Sequence, residues 1–367
     1  MAVGGEMAGP ASMRRQLAGQ PGNGDRSARA RLAIALLAAA ALLALAFCIT
    51  NGAAEASTLD VIRSLFGDAA AGGRDRIIIL DIRLPRAILG FLVGAALAVS
   101  GVVMQGLFRN PLADPGLVGV SSGASFGAVV VIVLGGTVAA PALALFGIYA
   151  LPLAAFGGGL LTTLLLYRIA TQGGATSVAT MLLAGIALGA LTMAATGILI
   201  SMADDKQLRD LTFWGMGSLA GATWIKVAAA GPVIALALTA MPFMARGLNA
   251  ITLGEAAAFH MGIHVQRLKT VAILAVAAAT GASVAVSGGI GFVGIVVPHI
   301  LRMAIGPDHR FLLPAAAVLG GTLLIFADLL ARTIVAPAEL PIGIITAAVG
   351  GPFFLWILLR QRGRLGL

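Results

Sequence analysis

Lys, Arg, Asp and Glu fall in clumps along this chain, and the stretches between them are apolar enough to cross a hydrocarbon core of ~30 Å, which takes ~20 residues per helix. Ten such runs can be read, over residues 32–50, 85–104, 116–134, 141–167, 178–202, 225–245, 267–286, 290–303, 311–330 and 343–359. Of the 367 residues, 59% are hydrophobic and 11% charged, whereas soluble domains average roughly 45–50% and 25%. A water-facing surface cannot be built from this composition. The expectation is an all-α polytopic membrane protein with no room for a soluble catalytic domain.

Residues 1–31 are rich in Gly and Arg without apolar periodicity and read as a flexible N-terminal tail, leaving 32–367 as one transmembrane domain. Ala54-Glu55-Ala56 has a cleavage-site look, but the preceding run is longer than a signal segment, so an uncleaved span is expected. An even number of spans puts both termini on one side. Placing them in the cytoplasm leaves only nine of the 24 Lys and Arg outside, namely Arg63, Arg74, Arg76, Arg83, Arg86, Lys206, Arg209, Lys226 and Arg332. The net charge of +9 therefore sets orientation and does not point to nucleic acid.

Glycine occurs 49 times, often at small-xxx-small spacing, as in Gly90/Gly94, Gly123/Gly127 and Gly185/Gly189, which lets helix backbones approach closely. The tetrapeptide Ala-Val-Ser-Gly occurs at 98–101 and again at 285–288, five spans later. Opposite directions of travel at the two places are what an inverted-topology repeat gives.

Ionisable groups at membrane depth build proton relays and ion sites, and the spans hold almost none. Asp328 stands alone inside the ninth run with Arg332 four residues on, the spacing of a helical pair. One cysteine, Cys48, allows no intrachain disulfide. His260 and His264 have i, i+4 spacing but lack the glutamate of a metalloprotease helix. The glycine pattern at 289–294 joins two apolar runs instead of a strand and a helix, and no phosphate-binding Gly-Lys-Ser/Thr loop exists. Energy from ATP would have to come from a partner. An ion-coupled carrier and a membrane hydrolase are the competing classes; neither has a residue constellation to support it.

Specific motifs follow in order: Leu84-Pro85-Arg86, Gly94 to Gln105, Asn110-Pro111-Leu112-Ala113-Asp114-Pro115-Gly116, Phe213-Trp214-Gly215-Met216-Gly217-Ser218, Gly291-Phe292-Val293-Gly294, Val297-Pro298-His299, Gly306-Pro307-Asp308-His309-Arg310 and Glu339-Leu340-Pro341-Ile342-Gly343. Through these the chain resembles the permease subunits of ABC importers for iron–siderophore complexes, haem and vitamin B12, over residues 83–359. The resemblance implies a type II importer permease fold of ten helices per subunit in a bacterial inner membrane. It implies a second permease subunit, most simply a homodimer, together with two cytoplasmic ATPase subunits, a periplasmic substrate-binding protein and surrounding lipid. No cofactor would sit on this chain, since ATP and Mg belong to the ATPase, and it would not be an enzyme. Haem is favoured as cargo over siderophore and vitamin B12; every histidine falls in or near a cytoplasmic segment, which argues against axial ligation of haem on the outside but not against passage.

The same resemblance implies site residues. Arg83, Arg86 and Arg332 match arginines that meet glutamates of the binding protein. Residues 249–266 match a segment that docks in the ATPase, with Gly254, Glu255, Ala256, Met261 and Gly262 as coupling positions and Leu253, Ala257 and Met261 expected on one face. Asn110, Leu112, Thr176 and Ser177 match a cytoplasmic gate, although Asn-Pro and Gly-Gly turn chemistry accounts for those residues equally well. Residues 204–224 and 332–342 would form an outer collar, with Trp214 either in it or anchoring at the membrane interface.

Overall fold

A computed structural model describes residues 27–52, 73–137, 140–173 and 175–365. Most of the expected tail, the Ala54-Glu55-Ala56 site and Arg63 lie outside the described residues. The described residues are helical nearly throughout: α1 (Ser27–Thr50), α2 (Leu84–Phe108), α3 (Val120–Leu134), α4 (Ala150–Ala170), α5 (Val178–Ile200), α6 (Asp205–Gly215), α7 (Trp224–Ala240), α8 (Ala245–Ile251), α9 (Glu255–His260), α10 (Val265–Ser287), α11 (Val293–Ile305), α12 (His309–Thr333) and α13 (Ile342–Leu365). Among the described residues, seven helices are long and apolar enough to cross a membrane, and three shorter apolar ones, in α3, α11 and α13, complete one helix for each of the ten apolar runs.

The runs and the helices differ at their edges for local reasons. The second span begins earlier, because the apolar turn Ile77–Arg83 is π-helical and leads straight into α2. The fourth run is broken at Gly147 (φ +49°), so residues 140–149 form separate short turns before α4 starts. The sixth continues past Pro242 through a 3-10 turn into α8. α11, with 13 residues and Pro298 inside it, is only about 20 Å long at 1.5 Å per residue. Its N-terminal approach, residues 288–292, is irregular backbone, buried at Gly288 and Ile290 and open at Gly291. Ala98–Gly101 lies within α2, whereas Ala285–Gly288 ends α10, so the two tetrapeptides occupy different places in their helices.

In lipid, helices gain little from the hydrophobic effect and associate through close packing. α2 is the centre of that packing, with 20 of its 25 residues buried, the signature of a helix surrounded on every side. One stripe of it, Gly94, Ala98, Gly101 and Gln105, runs along two neighbours. A methyl group added at Gly94 would fall on the Gly320 carbonyl of α12, and one at Gly101 on the Gly294 carbonyl of α11. Gln105 Nε2 donates to that same Gly294 carbonyl at 3.0 Å. Gly123 and Gly127 of α3 meet α4 at Gly158 and Ala154 in the same way. Gly189 of α5 instead faces open space, and only Met181 of the 23 residues in α5 is buried.

Gly94→Val therefore costs about 1–3 kcal/mol by overpacking the α2–α12 contact, whereas Gly157→Ala, inside α4 with nothing near its added methyl, is neutral or stabilises by up to about 1 kcal/mol through helix propensity. Unfolding of both variants in lipid nanodiscs measures the difference.

Candidate functional site

The bundle carries polar chemistry at its two ends. At one end, Arg86 Nε and Nη2 each donate to the Asp328 carboxylate at about 2.9–3.0 Å, and Nη1 donates to Glu339 Oε1 at 3.0 Å. The i, i+4 pair read from sequence exists but is looser, with Arg332 Nε 3.8 Å from Asp328 Oδ2. Arg332 Nη2 donates to the Cys48 carbonyl at 2.7 Å, while Arg83 Nη1 donates to the carbonyls of Ile49 and Thr50 at 2.8 and 2.9 Å. Two guanidinium groups thus satisfy the last turn of α1, whose carbonyls have no intrahelical partner. Arg83, Arg86 and Arg332 are 3, 6 and 6% exposed. They tie α1, α2 and α12 together from within; the partly exposed member of the group is Glu339.

Beside them, three motifs of the sequence meet in one knot. Ser218 N donates to Ser287 O at 2.7 Å, Ile342 N to Gly217 O at 2.9 Å and Gly343 N to Met216 O at 3.1 Å. Gly217 and Gly288 have φ of +72° and +69°, a region that favours glycine, and an added methyl at Gly288 or Gly343 would strike the carbonyl of Trp214 or Met216. The two segments expected to form a collar, 204–224 and 332–342, meet at this junction together with the α10–α11 turn. α6 leads into it from a capping box, Asp204 with Gln207.

At the other end, residues 249–266 do not present one periodic face. They divide into the end of α8, the short α9 and the start of α10, with turns at Gly254 (φ +111°) and Gly262 (φ +81°) that require glycine. Gly262 also separates His260 from His264, so the i, i+4 pair does not share a helix. Ala258 faces inward, and Leu253, Phe259 and Met261 are exposed at 71, 70 and 52%. Ala256 is exposed beside them, while Ala257 is half-buried.

The gate residues divide as well. Asn110 is exposed and its side chain accepts from Leu112 N at 2.9 Å, an Asx turn. Ser177 caps α5, accepting from Thr180 N. Thr176 is buried in a two-stranded hairpin in which it pairs with Thr171. A cavity of about 370 Å³ brings Thr176, Ser177 and Glu255 together against the end of α2; Asn110 and Leu112 are not on its wall. Two of its lining residues, Gln266 and Lys269, have no functional signal in the sequence. Lys269 sits at the edge of an apolar run, where a basic residue reads as an orientation charge, and its partner Glu255 is 14 positions away, outside any helical spacing.

Nearby, Asp308 caps α12. It accepts from Arg310 N at 3.0 Å, from the Arg310 guanidinium and from Asn249 Nδ2 at 2.7 Å, and the Arg310 contacts hold its carboxyl down at about 2. This stabilisation is complete above the ordinary carboxylate range and lost as pH falls through about 2.

Removing one member of the Arg86–Asp328 pair leaves a buried charge. Asp328→Asn is expected to cost about 3–5 kcal/mol, whereas Arg86→Leu combined with Asp328→Leu recovers most of that loss; equilibrium unfolding of the three proteins checks both.

The comparisons show the family. The FecCD transport family profile matches residues 36–360. The hemin transport system permease HmuU of Yersinia pestis is 49% identical over 283 residues, covering 77% of this chain and 83% of that protein. The cobalamin import permease BtuC of Halobacterium salinarum is 44% identical over 78% of this chain and 74% of its own length. Among solved structures, an inward-facing putative metal-chelate type ABC transporter superposes with a TM-score of 0.76 at 29% identity, covering 89% of this chain and 98% of the other. A match that takes in nearly every helix and both polar ends makes this chain a multi-pass membrane permease of the FecCD transport family.

Proposed function

We propose that this chain is the membrane-spanning subunit of an ATP-driven importer that carries an iron chelate, haem first, across a bacterial inner membrane with both termini in the cytoplasm. The observation that carries the cargo reading is the 49% identity to a hemin permease, against 44% and 42% to cobalamin and vitamin B12 permeases. Vitamin B12 import is the second reading, on the same comparison. Spans without a carboxylate chain suit alternating exposure of a passage driven from outside the chain, and transport is then a matter of two packings of one bundle.

The partners follow from the two ends and from one bare helix. Leu253, Phe259 and Met261 form an apolar cytoplasmic surface suited to a cleft of an ATPase subunit, with Gly254, Glu255, Ala256 and Gly262 setting its shape. On the outer rim, three arginines stand against Asp328 and Glu339, and the excess positive charge would steer an acidic face of a binding protein. Since the guanidinium groups are buried, docking would act through the frame they hold and not through free arginines. α5, apolar and almost wholly uncovered, is the face on which a second permease subunit would close the passage, with one ATPase on each copy. Thr176 and Ser177 would narrow its cytoplasmic end, with Asn110 and Leu112 shaping the turn beside it.

Two results test this. In liposomes holding the permease with the ATPase encoded beside it and its binding protein, ATP drives hemin uptake at least about tenfold faster than cobalamin or ferric siderophore uptake, a difference of 1.4 kcal/mol in the barrier; preference for cobalamin selects the second reading, and uptake driven by an ion gradient without ATP overturns the importer. Phe259→Ala weakens association of the ATPase by about tenfold, the effect of losing one anchor residue at an interface, as read by titration in detergent.

A further inference from the structure

Lys269 belongs to the first turns of α10, near the positive end of the helix dipole, and its side chain is only 3% exposed. A buried ammonium there is unfavourable unless each of its three N–H groups is satisfied. Three acceptors surround it: both Glu255 oxygens at 2.8 Å and the Thr176 carbonyl at 2.9 Å. Gln266 Oε1, one turn earlier, accepts from Thr176 N at 2.9 Å. Both backbone polar atoms of the gate residue are therefore held by α10 side chains.

Glu255 is the first residue of α9, 40% exposed, with the apolar surface of Leu253 and Phe259 beside it. Lys269 thus spans from a carboxylate at the surface to the one buried residue among those described in the hairpin, Thr176. The cavity of about 370 Å³ bounded by these groups leaves the hairpin space to shift. An apolar side chain of equal length would fill the site without the desolvation cost of a charge, so stability alone does not call for a lysine.

We infer that Lys269 is the positioning residue that links α9 to the gate hairpin: displacement of Glu255 changes the hold of the ammonium on the Thr176 carbonyl and moves the Ala175–Thr176 strand with it. This rests on the reading that the 249–266 segment docks an ATPase. The coupling travels through one ion pair and one backbone hydrogen bond, a short physical route between two elements.

The test uses the assembled permease and ATPase in liposomes, with Cys48→Ala as background and Ala175→Cys as reporter on the exposed side of the hairpin. The rate at which a maleimide labels position 175 is measured with and without Mg-ATP and vanadate. In the parent, nucleotide changes the rate by at least about fivefold, within the usual range for coupled sites. Lys269→Met flattens the response to less than about twofold while the ATPase stays bound, and Lys269→Arg restores it; a purely structural lysine would not separate the two. Lys269→Gln replaces Lys269→Met if the latter does not survive purification, with the same expected and contrary outcomes. A full nucleotide response in the uncharged variant overturns this inference alone. An absent response in the parent overturns it together with the docking reading.

Discussion

Backbone-to-backbone approach at glycine is the constraint on which the rest of this permease depends. Lipid tails are as apolar as leucine, so helices at membrane depth are held by contact at close range and not by exclusion from water. α2 meets α12 where Gly94 and Gly320 face each other, and α11 where Gly101 and Gly294 do. Because α11 is short and preceded by the turn at Gly288–Phe292, it has to be carried by α2, and Gln105 fastens it by donating to the Gly294 carbonyl. A bundle packed in this way is dense along α2, α10 and α12 and sparse along α5, where Met181 is the one buried residue.

Charge is then confined to the two ends. The group of Arg86, Asp328 and Glu339, with Arg83 and Arg332 on the last carbonyls of α1, is buried except at Glu339, whose side chain reaches the surface. Its role within the chain is to keep three helix ends in register. The group at the other end has the same form, with Lys269 inside and Glu255 reaching the surface.

Much of this was legible in the sequence, and the limits have physical causes. Each of the ten apolar runs became a helix, because composition and length suffice to identify a span. Their edges moved where backbone chemistry outweighs hydropathy, as at Gly147, Pro242 and the π-helical turn before α2. The glycine pairs were visible as spacing, yet Gly94 and Gly127 are close contacts while Gly189 is open, a distinction set by the neighbouring helix and not by the pattern. The three arginines were found through the family resemblance, but their burial and their partners depend on contacts with α1 and α12 up to 284 residues away. Phe259 escaped notice because a turn at Gly262 ends the periodicity that would have ranked it beside Met261.

The central claim is that the segment carrying Glu255 faces the cytoplasm, where an ATPase can act on it. The most direct measurement places a cysteine at exposed position 256, on a Cys48→Ala background, and treats intact spheroplasts or inverted vesicles with a membrane-impermeant maleimide. Labelling in inverted vesicles with protection in spheroplasts is the predicted result. Labelling of spheroplasts would put the segment on the far side of the membrane and contradict the account.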